Sequence, residues 1–170
     1  MLRHVVKMMI LLSISHALYG LPSDREKVMN VVADSANLNQ QEHKGEFNGH
    51  VQFVQGTTHL HAAQAITQGN EKNQLIVAIA KGDEKNQAHY WTLTDPAKPQ
   101  LHAYADTIYY YPLKHLITLT GHARIVQGKN SFSAATISYD TLKQRVVSES
   151  DGQTRTTIVI YPDKKMKAAL

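Results

Sequence analysis

Histidines are the residues of this 170-residue chain that most invite a chemical interpretation, since there are ten of them. His59 and His61 lie two positions apart, and on a β-strand this spacing places both imidazoles on one face, where they could bind a metal ion as in a cupin-like protein. Such a site needs further ligands, commonly a carboxylate and another histidine, yet no acidic residue follows His61 before Glu71. Leu60 and Ala62 fit an apolar face, so we expect His59 and His61 to point outward and predict no metal site.

Other catalytic patterns are absent from the sequence. It has no Gly-x-Ser-x-Gly motif, no glycine-rich phosphate loop and no cysteine. We therefore predict that the protein is not an enzyme and uses no cofactor. Tyr90 and Trp91 could stack against a sugar, which leaves a glycan-binding module as an alternative function.

Alternating apolar and polar residues indicate an all-β fold. Phe47, Val51 and Phe53 alternate with polar residues, as expected of half-buried strands. Turn residues such as Gly128-Lys129-Asn130 separate these runs at short, regular intervals. The pattern predicts strands near 28–39, 43–55, 57–68, 74–80, 86–94, 100–111, 115–127, 131–140, 144–150 and 154–161, and allows a short helix from Ser23 to Met29.

An internal repeat organises these strands. Residues 33–63 align without a gap onto residues 105–135, an offset of 72, with ten identities that include Gly49/Gly121, Gln55/Gln127 and Ala62/Ala134. One repeat of strands cannot bury its apolar face alone, so the two copies are expected to stack and share one core. Such a stack leaves an unpaired strand at each end, open to strand addition.

The two termini indicate an exported protein. A basic start, an apolar stretch from Met8 to Ile14 and small residues at Ser15 and Ala17 predict a signal peptide over residues 1–17, with cleavage after Gly20 as an alternative. We assign residues 24–161 to one domain and residues 162–170 to a basic tail. The formal net charge of +4 carries no concentrated basic patch, which argues against nucleic acid as a partner.

The ordered motifs resemble those of a known family. Asn48-Gly49-His50-Val51, Gln55-Gly56-Thr57 and Ala62-Ala63, followed by a second copy beginning at Thr120-Gly121-His122-Ala123, are similar to the periplasmic lipopolysaccharide transport protein A family, also called the organic-solvent-tolerance A-like (OstA-like) domain. The resemblance runs from about Met29 to Val159.

This resemblance implies a β-jellyroll of consecutive antiparallel strands that is open at both ends. It implies a periplasmic protein that binds lipopolysaccharide through lipid A and joins to itself head to tail. The expected partners are the inner-membrane anchor protein of the lipopolysaccharide transport complex and the periplasmic domain of the outer-membrane translocon, so that the protein bridges the two membranes.

An apolar groove is the site that such a carrier needs, because exposing one acyl chain of about a dozen carbons to water costs roughly 10 kcal/mol. Alternation predicts an inward-facing lining, and an ordinary closed core is the alternative interpretation of the same residues: Met29, Val31, Phe47, Val51, Phe53, Leu60, Ile66, Tyr90, Tyr109, Tyr111, Leu119 and Ile125. Of these, Met29, Val31, Tyr90, Tyr109 and Tyr111 align with groove-lining positions of the family. For the end-to-end contact the sequence predicts an interface made by Val28, Val32, Thr156, Ile158 and Ile160, unless both terminal strands pair within one molecule.

Overall fold

The structure is a computed structural model that describes residues 21, 23–24, 27–72, 74–140, 143 and 145–162. Within these residues there are twelve strands and a 3₁₀ helix over Pro112–Lys114, and no helix is long and apolar enough to cross a membrane. The strands are β1 Met29–Val32, β2 Ser35–Asn39, β3 Lys44–Gln55, β4 Thr58–Gly69, β5 Leu75–Lys81, β6 Ala88–Thr92, β7 Leu101–Ala105, β8 Thr107–Tyr111, β9 Leu116–Gln127, β10 Asn130–Asp140, β11 Arg145–Glu149 and β12 Thr157–Val159.

The predicted all-β fold of consecutive antiparallel strands is confirmed. Two predicted strands, near 28–39 and 100–111, are each divided in two, with the breaks at Asp34 and Asp106. The short helix that the sequence allows from Ser23 to Met29 is not formed as such, because Ser23 and Asp24 lie in a 3₁₀ turn and Met29 is already the first residue of β1. The predicted signal peptide and all of the predicted tail beyond Pro162 lie outside the described residues.

All twelve strands belong to one sheet that we describe as two half-sheets. Half-sheet A has the order β2-β3-β4-β5-β8-β9-β10-β11, and half-sheet B has the order β1-β3-β4-β6-β7-β9-β10-β12. The long strands β3, β4, β9 and β10 run through both half-sheets, whereas the other strands end at the boundary between them. We call this boundary the crease.

A β-bulge in each repeat forms the crease. In β3 the pairing with β4 jumps from Asn48 to Val51, so Gly49 and His50 together oppose a single alanine of β4, Ala63. Gly49 and His50 have φ values of 75° and 45°, the left-handed region that bends the strand. A side chain at Gly49 would collide with the carboxylate of Asp34, so only glycine fits there.

The second repeat reproduces the crease. Gly121 and His122 of β9, with φ values of 79° and 46°, oppose Ala135 of β10. The Nδ1 atom of His122 lies 2.8 Å from Oδ2 of Asp106, and His50 and Asp34 make the same contact at 2.7 Å. The sequence identities at these positions therefore record one bend that is built twice.

The core lies on the inner face of the folded sheet. Next to the crease, a row of small buried residues crosses the strands and lets the half-sheets approach each other closely; the row consists of Ala62, Ala88, Ala105, Ala123 and Ala134. Larger residues flank the row and join one cluster from both sides, such as Leu119 of half-sheet A and Ile125 of half-sheet B. Because the same face is buried in both, the two half-sheets pack on one another.

Candidate functional site

The inner face is the candidate site, and strand pairing decides which predicted lining residues belong to it. Residues directly opposite each other on neighbouring strands share a face. Val31 pairs with Phe53, Phe53 with Leu60, and Leu60 with Tyr90. By this criterion nine of the twelve predicted residues lie on the inner face: Met29, Val31, Phe47, Val51, Phe53, Leu60, Tyr90, Leu119 and Ile125.

The inward orientation predicted for Ile66, Tyr109 and Tyr111 is wrong. Ile66 pairs with Glu46 and Ile79, and Ile79 pairs with Tyr109, so these side chains share the outer face. Tyr111 follows Tyr109 on the same face, with the two rings parallel and their centroids 6.3 Å apart. The inner face of β8 is made by Ile108 and Tyr110 instead, because the strand phase shifts by one residue at Asp106.

Access to the inner face differs along its surface. Val51, Leu119 and Ile125 are enclosed in the packed core near the crease, so a ligand reaches them only when the half-sheets part. Exposure rises towards the sheet edges, where Met29 is 56 % and Ile158 is 52 % exposed although both lie on the inner face. The half-sheets are thus closed on each other at the crease, along a line that we call the seam and that includes Val51, Leu119 and Ile125. The site opens from the seam towards both ends of the sheet.

A cavity of ≈ 620 Å³ lies at the open side of half-sheet A. Leu38, Gly45 and Thr67, which pair across β2, β3 and β4 on the inner face, contribute its floor. Asn39 and Gln40 add polar groups to the lining. The lining is thus mixed, with Leu38 and Leu75 as its apolar members.

At the open side of half-sheet B, the segment before β1 is tied to the sheet by a buried carboxylate. Asp24 accepts hydrogen bonds from the backbone N–H of Thr57 at 3.0 Å and from its hydroxyl at 2.6 Å. Burial alone would raise the pKa of Asp24, but these bonds and that from Thr58 hold the pKa below its usual value. Burial raises the pKa of Tyr90, which hydrogen-bonds Thr58, to about 12, so its hydroxyl stays neutral.

The outer face of half-sheet B carries the histidines that the sequence singled out. His59 and His61 point outward as predicted, since they alternate with inner-face Leu60 and Ala62. Both pack against Trp91, with ring centroids 4.8 Å and 4.7 Å away. In the residues that the structure describes, no three histidine, aspartate or glutamate side chains converge to hold a metal ion.

The aromatic pair proposed to stack a sugar is not formed. Tyr90 lies on the inner face and Trp91 on the outer face, because they are neighbours on β6. The ring of Trp91 is instead surrounded by imidazoles, including that of His89 at 4.5 Å. Burial, then the neighbouring His102 and His61, lower the pKa of His89 to about 4, so this histidine is neutral at pH 7.

Both ends of the sheet are open. Among the described residues, β1 and β2 pair only with β3, and β11 and β12 pair only with β10. The first and last strands therefore do not pair with each other. The residues predicted for the end-to-end interface lie at these ends and are exposed: Val28, Val32, Thr156, Ile158 and Ile160.

Sequence reasoning missed two parts of the site. Leu38 was assigned to a strand but not to the lining, although it is on the inner face and 68 % exposed. Its short strand alternates Ala36 and Leu38 with polar residues, a signal that could have been read. The contact between Asp24 and Thr57 spans 33 residues and has no local signature.

Comparisons with known proteins agree on one family. Residues 30–145 match the family model described as LptA/(LptD N-terminal domain) LPS transport protein. The chain is 32 % identical to the lipopolysaccharide export system protein LptH of Pseudomonas aeruginosa, over 86 % of each chain. It is 24 % identical to LptA of Escherichia coli K12, over 91 % of this chain and 82 % of that one.

A solved structure is similar as well. The crystal structure of LptH from Pseudomonas aeruginosa, described as the LptA-homologous periplasmic component of the conserved lipopolysaccharide transport device, superposes with a TM-score of 0.71. The alignment covers 83 % of this chain and 100 % of that chain at 30 % identity. The two proteins thus share the β-jellyroll architecture.

Proposed function

The chain belongs to the LptA/LptD N-terminal domain family of lipopolysaccharide transport proteins, and from this membership we propose that it carries lipopolysaccharide across the periplasm with the acyl chains of lipid A between half-sheets A and B. The observation that carries the proposal is the single apolar inner face, which crosses every strand and is exposed at both ends of the sheet. The protein acts as a carrier and not as a catalyst.

The energetics favour a groove over a surface patch. An acyl chain of about a dozen carbons costs roughly 10 kcal/mol to expose to water, so a lipid with several chains needs continuous apolar contact along its path. Half-buried residues such as Phe53, Leu60 and Tyr90 offer that contact beside the seam. Separation of the half-sheets would add the enclosed residues Val51 and Leu119 to the lining.

The open ends of the sheet support a bridge between the membranes. Copies joined head to tail through the interface residues would continue the groove from one molecule to the next. The same ends would receive the inner-membrane anchor protein and the periplasmic domain of the outer-membrane translocon. Among the described residues, β1, β2, β11 and β12 each pair with one strand only, and their other edge can accept an added strand, which supports this assignment.

Two adjacent tyrosines allow a matched test of the groove. Tyr110 pairs with Ala78 and Ile117 on the inner face, whereas Tyr109 lies on the outer face. A photo-crosslinking phenylalanine analogue placed at position 110 is expected to capture lipopolysaccharide in cells, and the same analogue at position 109 is not. Immunoblots that detect lipopolysaccharide on the purified protein give the readout.

The pair controls for residue type, size and position along the strand. Equal capture at 109 and 110, or capture at 109 alone, would contradict the proposal that the acyl chains occupy the inner face. Both variants should unfold at the same temperature as the parent protein within about 3 °C, because each replaces one aromatic ring by another at a partly exposed position.

A further inference from the structure

The structural repeat is longer than the sequence repeat and reaches the last strand, β12. In the first copy, β6 pairs with β4 through Tyr90 and Leu60; in the second, β12 pairs with β10 through Ile158 and Phe132. Leu60 and Phe132 are equivalent by the offset of 72. Tyr90 and Ile158 are therefore counterparts, separated by 68 residues, although their sequences do not align.

The other half-sheet gives the same offset. Ile79 of β5 pairs with Ile66, and Val147 of β11 pairs with Ser138, the counterpart of Ile66. Ile79 and Val147 are again 68 residues apart. The segments β5–β6 and β11–β12 thus occupy equivalent places in the two halves of the molecule.

The turns that connect these strands agree in detail. Oδ1 of Asp83 accepts hydrogen bonds from the backbone N–H groups two and three residues later, both at 2.8 Å. Oδ1 of Asp151, 68 residues further on, accepts the same two bonds from Gln153 and Thr154 at 2.9 Å and 2.6 Å. This turn is independent of the strand pairing and supports the same equivalence.

The strand pairs β6–β7 and β5–β8 have no equivalent beyond β12 and β11 among the described residues. Inside the molecule β6 and β5 pair with β7 and β8, the counterparts of β1 and β2. In the part of the chain that the structure describes, their equivalents β12 and β11 pair only with β10 and form an edge of the sheet. We infer that a second copy of this chain fills that edge by reproducing the internal junction, with its β1 and β2 in the places of β7 and β8. This inference deepens the proposed head-to-tail assembly and rests on it.

The internal junction fixes the register of the proposed one. Tyr90 opposite Ala103 predicts Ile158 opposite Val31 of the next copy. Ile79 opposite Tyr109 predicts Val147 opposite Asn37. The facing is consistent, because Ile158 and Val31 are both on inner faces whereas Val147 and Asn37 are both on outer faces.

The proposed junction between two copies would place an arginine and an aspartate where the internal junction has a glutamine and an aspartate. The Nε2 atom of Gln87 donates to Oδ1 of Asp106 at 3.1 Å and to the carbonyl of His122 at 3.2 Å, just outside the crease. The counterpart of Gln87 is Arg155, and the counterpart of Asp106 is Asp34 of the next copy. Arg155 and Asp34 are both exposed in the single molecule. Their opposite charges suit a second copy of this chain at the edge.

The register can be read with disulfides, because the natural sequence contains no cysteine. Directly opposite residues on paired strands have Cα atoms about 4.5–5.5 Å apart, within the range of a disulfide. Purified N37C and V147C proteins, mixed and oxidised, are expected to form a disulfide heterodimer. The matched control replaces V147C by R145C, which has the same facing but a register shifted by two residues, and is expected to give at least about fivefold less heterodimer.

The charge pair is tested by sedimentation velocity over a range of protein concentrations. R155E places a carboxylate beside Asp34 and is expected to weaken self-association at least about tenfold. R155Q restores the internal glutamine and should stay within about threefold of the parent. R124E makes the same charge change on exposed Arg124 of β9, away from both edges, and should also stay within about threefold.

The outcomes separate this inference from the function on which it rests. Self-association with N37C–V147C crosslinking and a specific loss in R155E supports the copied junction. If the protein self-associates but R145C crosslinks as well as V147C, the copied junction is overturned. The same holds if R155E self-associates as strongly as R124E. Both results leave head-to-tail assembly standing. Absence of any self-association overturns both, whereas the lipid crosslink at position 110 tests carriage of lipopolysaccharide separately.

Discussion

Replacing Gly121 by alanine tests whether the crease depends on contact between its bulge and Asp106. The added Cβ would collide with Oδ2 of Asp106 and lie 2.8 Å from its Cγ, at a residue whose φ is 79°. The left-handed backbone costs an alanine about 1–2 kcal/mol. Moving the carboxylate away also breaks its bonds to His122 and Gln87, which adds about 1–2 kcal/mol for two exposed hydrogen bonds.

We therefore expect G121A to lower the free energy of unfolding by about 2–4 kcal/mol, equivalent to a fall in Tm of roughly 5–15 °C for a chain of this length. Urea unfolding followed by the fluorescence of the single tryptophan, Trp91, measures the change. Trp91 lies on half-sheet B and reports on unfolding of the sheet that the crease divides.

Two further variants separate backbone strain from the collision. Gly152 has a φ of 86° with no atom within 4 Å of an added Cβ, so G152A should cost only the backbone part, about 1–2 kcal/mol. In a D106G background, G121A should likewise cost only about 1–2 kcal/mol, because both the carboxylate and the Cβ atom of Asp106, 2.9 Å from the added Cβ, are gone. If G121A costs no more than G152A, or the same with and without Asp106, the collision does not hold the crease and the reasoning fails.

Two other predictions concern ionisable groups. The pKa of His89 is about 4 in the folded protein and near 6.5 in the unfolded chain, so the unfolded chain takes up this proton first as the pH falls. The contribution of His89 to the free energy of unfolding is therefore complete above pH 6.5 and is lost between pH 6.5 and pH 4. The full pKa difference corresponds to about 3 kcal/mol in the free energy of unfolding, and partial exposure of His89 reduces this to about 1–2 kcal/mol. The free energy of unfolding of H89Q, measured with urea, should therefore depend less on pH over this range than that of the parent protein. An equal pH dependence in the two proteins would contradict the lowered pKa of His89. Replacing Asp24 by alanine should lower the free energy of unfolding by about 1–3 kcal/mol, because three hydrogen-bond donors lose their acceptor. The control D83A, in an exposed turn, should cost less than about 1 kcal/mol in the same urea assay. Similar losses in the two variants would refute a special role for Asp24.

The strands could be predicted from the sequence because their signals are local. Period-two alternation in residues such as Phe47, Val51 and Phe53 identifies β3, and turn residues such as Gly56 and Gly128 mark the hairpins. The repeat also predicts that Gly49-His50 and Gly121-His122 occupy equivalent places. Strand alternation and hairpin turns depend on residues that are near in sequence.

The facing of the lining residues was harder to predict, because the crease changes the phase of the strands. In β4 the inner residues are Leu60 and Ala62 before the bulge, and Ala65 and Thr67 after it. Counting in twos from Leu60 therefore reaches Ile66, which is on the wrong face. A break of one residue shifts the phase of a whole strand, and its place is fixed by a partner strand, not by local sequence.

Similarly, three consecutive tyrosines do not indicate which of them faces the inside of the sheet. Residues 109–111 are equally suited to either face, and Asp106 decides that Tyr110 is the inner one. The contact of Asp24 with Thr57 depends on chain segments far apart in sequence. Such long-range choices follow from the assembled sheet, so the sequence alone leaves them open.

The two open ends of the sheet are made of different strands, and this difference gives the molecule a direction. A symmetric dimer would join like ends and reverse the groove at its centre. Joining β11 and β12 to β1 and β2 instead orients every copy alike, so a column of any length presents β1 and β2 at one tip and β11 and β12 at the other. Its two tips stay chemically distinct however many copies are added or removed. In the assembly that we propose, a column can therefore grow or shorten while the strands at each tip stay the same.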